Sequence, residues 1–236
     1  MSRKRRGGSV ELADEVKAIR FYLFVFFLFS MPLFFLAGNT EYGYTKSIYS
    51  LCFVPLLYIL WAIEALIRRR WELDLTWGGF LLAGFLAVAL LSLLGDTPAG
   101  VVIQSAALVL VFGAIGILAA NSLVGEREIG LALAAILAAG VGNALFGLLQ
   151  YLGVVVGGAP GGGLNAVIAT MGNRNFLGGF LSYLFFPCTA LLVVARRHWQ
   201  RALALAGLGF TLSIALLVRQ TGCGWGSRWR GFSSPS

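Results

Sequence analysis

Carboxylates, histidine and cysteine are all scarce in this chain of 236 residues, which has ten Asp and Glu, one His and three Cys. No Asp or Glu occurs beyond Glu128. Carboxylate acid–base chemistry would therefore have to come from the first half of the sequence or from chain beyond it. The one histidine, His198, stands among Arg196, Arg197 and Arg201, so no metal-ligating cluster is expected. Cys52 and Cys188 fall inside apolar runs and Cys223 in a Gly-rich tail, which excludes a disulfide framework. Charge of either sign is sparse, at 12% of residues. What fills the space is apolar: 58% of the chain is hydrophobic and the mean hydropathy is +0.84, which defines a membrane protein.

Seven apolar stretches approach the ~20 residues that a helix needs to cross a bilayer. They are Phe21 to Gly38, Ile48 to Ile67, Trp77 to Leu94, Gly100 to Val124, Ile129 to Val156, Phe176 to Ala195 and Ala202 to Val218. The short connections Gly95 to Ala99 and Gly125 to Glu128 suit antiparallel neighbours. The expectation is an all-α polytopic bundle of seven transmembrane helices over residues 21–218. A basic cytoplasmic tail, residues 1–20, precedes it, helical from Val10 onward. An irregular segment, residues 219–236, follows. No cleavable signal peptide is expected, because the arm before Phe21 is long and polar and no small-x-small site follows Met31 to Leu36.

Lys and Arg alternate between loops. Arg3 to Arg6, Lys17 and Arg20 precede the first span, Arg68 to Arg70 follow the second, Arg127 follows the fourth, and Arg196, Arg197 and Arg201 separate the last two. The opposite loops hold only Lys46, Arg174 and the basic residues after Val218. The positive-inside rule then places the N-terminus in the cytoplasm and the C-terminus outside. It also accounts for the net charge of +8 without nucleic acid, for which no soluble module exists. Anionic lipid is the partner these residues fit.

Within the spans, Glu64 precedes Arg68 by four residues, the spacing of a helical ion pair, expected here as an interfacial pair that snorkels. No ionisable residue falls near the middle of a predicted span, which weighs against an ion-coupled transporter. The fifth span carries Gly140, Gly142, Gly147 and Gly153 around Asn143 and Gln150. Close helix packing explains the glycines. Alternatively, the two amides, seven residues apart and so on nearly the same face, line a polar groove for sugars or a pyrophosphate.

The most informative segment is Gly172-Asn173-Arg174-Asn175-Phe176-Leu177-Gly178-Gly179-Phe180, at the start of the sixth span. Asn175 is the expected N-cap. The free amides of that helix start, the positive end of its dipole and the Arg174 guanidinium would then face one small volume, suited to an anion. Upstream lies the Gly-rich stretch Gly157 to Gly163, and the mildly apolar Leu164 to Met171 is expected to dip into the interface. A plainer alternative stands beside this one: Asn173 and Asn175 cap the helix while Arg174 meets lipid headgroups.

Gly-Asn-x-Asn-Phe-x-Gly ahead of an apolar helix resembles the signature of the O-antigen ligase and O-antigen polymerase superfamily. A second point of likeness is Leu216-Leu217-Val218-Arg219-Gln220-Thr221 at the end of the seventh span, which follows the family's course and then meets Gly222 where an arginine belongs. The resemblance carries over Gly172, Asn173, Asn175, Phe176 and Gly178, and less securely Thr221; Arg174 occupies a variable position. It implies a glycosyltransferase of the bacterial inner membrane that transfers or polymerises glycan from undecaprenyl pyrophosphate, at the outer face, onto a glycan or lipid acceptor. Neither metal nor nucleotide cofactor is implied. The pyrophosphate and glycan would meet Gly172, Asn173, Arg174, Asn175 and Arg219, with Asn143 and Gln150 along the groove; catalytic residues are unassigned.

Such proteins have about a dozen spans and a large outer loop carrying further arginines and a histidine, and the likeness covers only their N-terminal half or somewhat more. Gly222 to Ser236, rich in Gly, Trp, Arg and Ser, reads as an out-of-frame or truncated end, a short native tail being the alternative. On the first reading the chain is expected to be inactive alone. Two other functions stay open: a subunit of a transporter for a small anion such as bicarbonate, with Gln104, Asn143 and Gln150 as its sparse polar path, and a non-catalytic membrane scaffold.

Overall fold

The structure is a computed structural model, and it describes residues 2–35, 42–70, 73, 77–92, 99–154, 167–194 and 198–220. The described residues form eight α-helices and one 3-10 turn, with no strand. The helices are α1 (Ser2–Leu33), α2 (Tyr42–Arg68), α3 (Trp77–Leu91), α4 (Ala99–Ser122), α5 (Glu126–Tyr151), α6 (Arg174–Tyr183), α7 (Phe185–Val194) and α8 (His198–Gln220); the 3-10 turn is Ala169–Met171. Five stretches of described helix are long and apolar enough to cross a membrane: Val10–Leu33, Gly43–Arg68, Gly100–Ser122, Glu126–Tyr151 and Phe176–Val193.

Several boundaries depart from the sequence expectation, and three of them are informative. The basic arm is helical from Ser2 and runs unbroken into the first apolar stretch. The fifth span was expected to reach Val156, yet α5 ends at Tyr151. Gly153 there takes a left-handed φ of 78°, its N–H returns to Gln150 O at 3.1 Å, and the Val154 N–H returns to Leu149 O at 2.9 Å. That paired pattern closes a helix on a glycine. The sixth stretch is broken at Leu184 into α6 and α7. Pro187 lacks an N–H and its ring clashes with the carbonyl four residues earlier, at Tyr183; the chain steps through a tighter Leu184 N–H to Leu181 O bond of 3.3 Å before α7 resumes with Cys188 N–H to Leu184 O.

The chain divides into two compact units. One comprises residues 1–27 and 47–132, the other residues 28–46 and 133–236. In the first, Phe24, Leu57 and Leu118 are fully buried and the rings of Phe27, Tyr49 and Phe53 stack with centroids 5.4–5.9 Å apart. α3 lies on α4, where Leu82 and Leu86 fill the space left by Gly116 and Gly113. In the second unit α6 and α7 pack on α8, and the core gathers Ala144, Val167, Ala169, Leu177, Leu181 and Leu184. Glycines of α5 allow this approach: Leu184 sits over Gly140, Leu33 over Gly142 and Val167 over Gly147. Small residues at a helix contact let side chains and backbones close in where lipid offers no hydrophobic drive.

Candidate functional site

In the second unit the Gly172 to Phe180 motif stands on a turn whose backbone is held from behind. Gly172 has a left-handed φ of 69°, which suits a residue without a Cβ. The chain reverses there, and the helix starts two residues sooner than expected. Asn173, not Asn175, is therefore the N-cap: its carbonyl accepts the Leu177 N–H at 3.0 Å, and α6 starts at Arg174. Asn175 lies inside the first turn. Asn173 is exposed. The backbones of Arg174 and Asn175 belong to α6 and that of Arg219 to α8, while the side chains of these three lie outside the described residues. So do Gly157 to Gly163, Thr221 and Gly222 to Ser236.

Just before the motif, Ala169 is buried with φ of 47°, a conformation that costs an L-residue ~1–2 kcal/mol. Gln150 on α5 offsets this cost. Its Oε1 accepts the Ile168 N–H at 3.0 Å and the Ala169 N–H at 2.7 Å, which fixes the orientation of the amide. Its buried Nε2 is left without a hydrogen-bond partner. Thr170 is buried as well, and its hydroxyl proton is shared between Pro32 O, at 2.7 Å, and Asn143 Oδ1. Asn143 Nδ2 donates to Ala139 O at 3.2 Å and to Pro32 O at 3.3 Å.

Pro32 O, in the last turn of α1, is thus a hub. Its third donor is Lys46, whose ammonium donates to Pro32 O at 2.7 Å, Phe34 O at 2.9 Å and Met31 O at 3.3 Å. The last carbonyls of a helix have no partner within it, and a cation complements the negative end of the helix dipole. Asn143 and Gln150 do share a face, as their spacing requires. Both are buried, Asn143 bonded through its Nδ2 and Oδ1 and Gln150 through its Oε1.

The first unit carries a separate charged cluster. Arg20 donates to Glu64 Oε2 at 3.1 Å and to Ser122 Oγ at 3.1 Å, with its guanidinium 5.2 Å from the centre of the Trp61 ring. Arg68 Nε lies 3.2 Å from Glu64 Oε1, within ion-pair range but off hydrogen-bond alignment, and Arg68 Nη2 donates to Asp14 Oδ1 at 2.6 Å. The pair Glu64–Arg68 forms at the expected spacing. Glu64 itself is buried at 6% exposure and does not snorkel; Arg20, at 3% exposure, completes the carboxylate's partners.

Chemically, the motif turn offers first-turn amides to an anion. The second unit contains no carboxylate but Glu41, and His198 opens α8. Among the described residues no cluster of His, Cys, Asp and Glu is suited to a metal ion. Sequence reasoning missed Lys46, Thr170, Arg20 and Ser122 as site-forming residues. Lys46 alone left a signal, as the one lysine in a loop otherwise empty of basic residues. No family model, curated protein or solved structure matches this chain.

Proposed function

We propose that this chain is a multi-pass protein of the bacterial inner membrane, of the O-antigen ligase and polymerase type, that holds the pyrophosphate of an undecaprenyl-linked glycan at the outer face. The orientation is that of the positive-inside rule, with seven spans, the N-terminus in the cytoplasm and the C-terminus outside. The observation that supports the reading best is the coincidence of the Gly-Asn-x-Asn-Phe-x-Gly sequence with a turn clamped by Gln150 and Thr170 and opening directly into α6. A clamped turn holds its amides ready before the anion arrives, so that little ordering is needed on binding.

The role assigned to the motif is retention of the leaving group. Donors that meet the charge developing on a departing pyrophosphate favour glycan transfer to an acceptor hydroxyl. Activation of that hydroxyl needs a base, and residues 133–236 contain no carboxylate.

Photocrosslinking tests this reading. A polyprenyl pyrophosphate carrying a photoreactive group near the phosphates, added to the chain in nanodiscs, is expected to label the Gly172 to Phe180 peptide, in competition with undecaprenyl pyrophosphate. Labelling confined to other peptides counts against the reading.

A further inference from the structure

The end of α1 offers a second kind of site, independent of the pyrophosphate. Three main-chain carbonyls, Met31, Pro32 and Phe34, converge on one point, and what occupies that point is the Nζ of Lys46 at 3.3, 2.7 and 2.9 Å. Lys46 is buried, with 9% exposure. A buried ammonium is tolerated when its protons are bonded, and these three carbonyls accept from it. The carbonyls are held in place by groups other than Lys46. Pro32 O also accepts from Thr170 and Asn143, and the Phe34 N–H returns to Met31 O at 3.3 Å. The free carbonyls of a helix C-terminal end are the chemistry with which membrane proteins hold a monovalent cation.

We infer that the end of α1 is a monovalent-cation site whose resident ion is the tethered ammonium of Lys46. Tethering makes the occupant permanent, so the second unit is held together without dependence on the salt around it. Removing the tether while sparing the cage leaves oxygens that a free cation can fill, and a primary ammonium, which alone reproduces the three N–H donors, fills them best. The four-carbon stem leaves a slot of its own shape, so n-butylammonium fits better than methylammonium.

The test is chemical rescue with the full chain in nanodiscs of zwitterionic lipid. Thermal unfolding is followed at equal ionic strength in choline, sodium, methylammonium and n-butylammonium chloride. Wild type is expected to melt at one temperature in all four. Lys46→Ala in choline is expected to melt lower by about 5 °C or more, to gain in sodium or methylammonium, and to recover at least half the loss in n-butylammonium. A Lys46→Ala protein as stable as wild type, or equally unstable in every salt, overturns the inference. Lys46→Gln keeps two N–H donors without the charge and covers the case in which Lys46→Ala does not fold. It is expected to melt below wild type with no gain from any ammonium. Wild-type stability in Lys46→Gln likewise overturns the inference.

Discussion

The side-chain oxygen of Gln150 accepts the N–H of Ala169 at 2.7 Å, and Ala169 is the buried residue that takes a left-handed backbone directly ahead of the motif. One amide on α5 thus sets the path of a turn nineteen residues further along the chain. Leu in place of Gln150 strands two backbone donors, the buried Ala169 N–H at about 1–3 kcal/mol and the part-buried Ile168 N–H at less. Gln150→Glu keeps an oxygen for both N–H groups and gives the already orphaned Nε2 position an acceptor. In detergent unfolding, Gln150→Leu is expected to lose the most stability and Gln150→Glu distinctly less. Equal losses would show that the acceptor role is unimportant.

Glu64 lies between two guanidinium groups, and its removal leaves Arg20 buried without its carboxylate. Breaking a buried pair from one side costs about 3–5 kcal/mol, whereas replacing both charges by apolar side chains is often near neutral. Glu64→Leu is therefore expected to destabilise the chain more than the double change Glu64→Leu with Arg20→Met. Chemical unfolding of the two variants decides; a double variant weaker than the single one contradicts the account of the cluster.

Gly140 admits Leu184 so closely that a Cβ at this position would overlap the leucine side chain. Gly140→Ala is expected to cost about 1–3 kcal/mol through overpacking, and Leu184→Ala in the same chain to recover part of it. Additive losses in a double-mutant cycle would mean that the two residues do not meet.

Orientation can be read in cells. Alkaline phosphatase fused after Val218 is expected to be active, and a fusion after Arg197 inactive, as the distribution of Lys and Arg requires. The reverse pattern would put Asn173 in the cytoplasm and end the proposed role of the motif.

Most of the helical layout is legible in the apolar runs, because a membrane span is written in about 20 consecutive residues. The break at Leu184 was readable in principle from Pro187, and the end of α5 from Gly153. Their effects act within a turn or two of the residue itself. The clamp behind the motif was not readable. Thr170 meets Pro32 across 138 residues of sequence, and Asn143 meets it across 111; no local period or spacing encodes such a meeting. Residue type alone favours Asn175 as the cap, whereas the left-handed Gly172 starts the helix two residues earlier. Lys46 was visible only as an oddity of charge distribution, since the carbonyls that explain it belong to another helix.

Whether the clamped motif turn holds a lipid-linked pyrophosphate is decided by equilibrium binding. Farnesyl pyrophosphate and farnesol are titrated against the chain in nanodiscs of zwitterionic lipid, with wild type compared with Asn173→Ala and with Thr170→Val, which removes the clamping hydroxyl while keeping the side-chain shape. Saturable binding of the pyrophosphate well above that of farnesol is expected, weakened roughly tenfold, or about 1.4 kcal/mol, by either change and restored by Thr170→Ser. Wild-type binding of farnesyl pyrophosphate no tighter than that of farnesol, or binding indifferent to both changes, would contradict it.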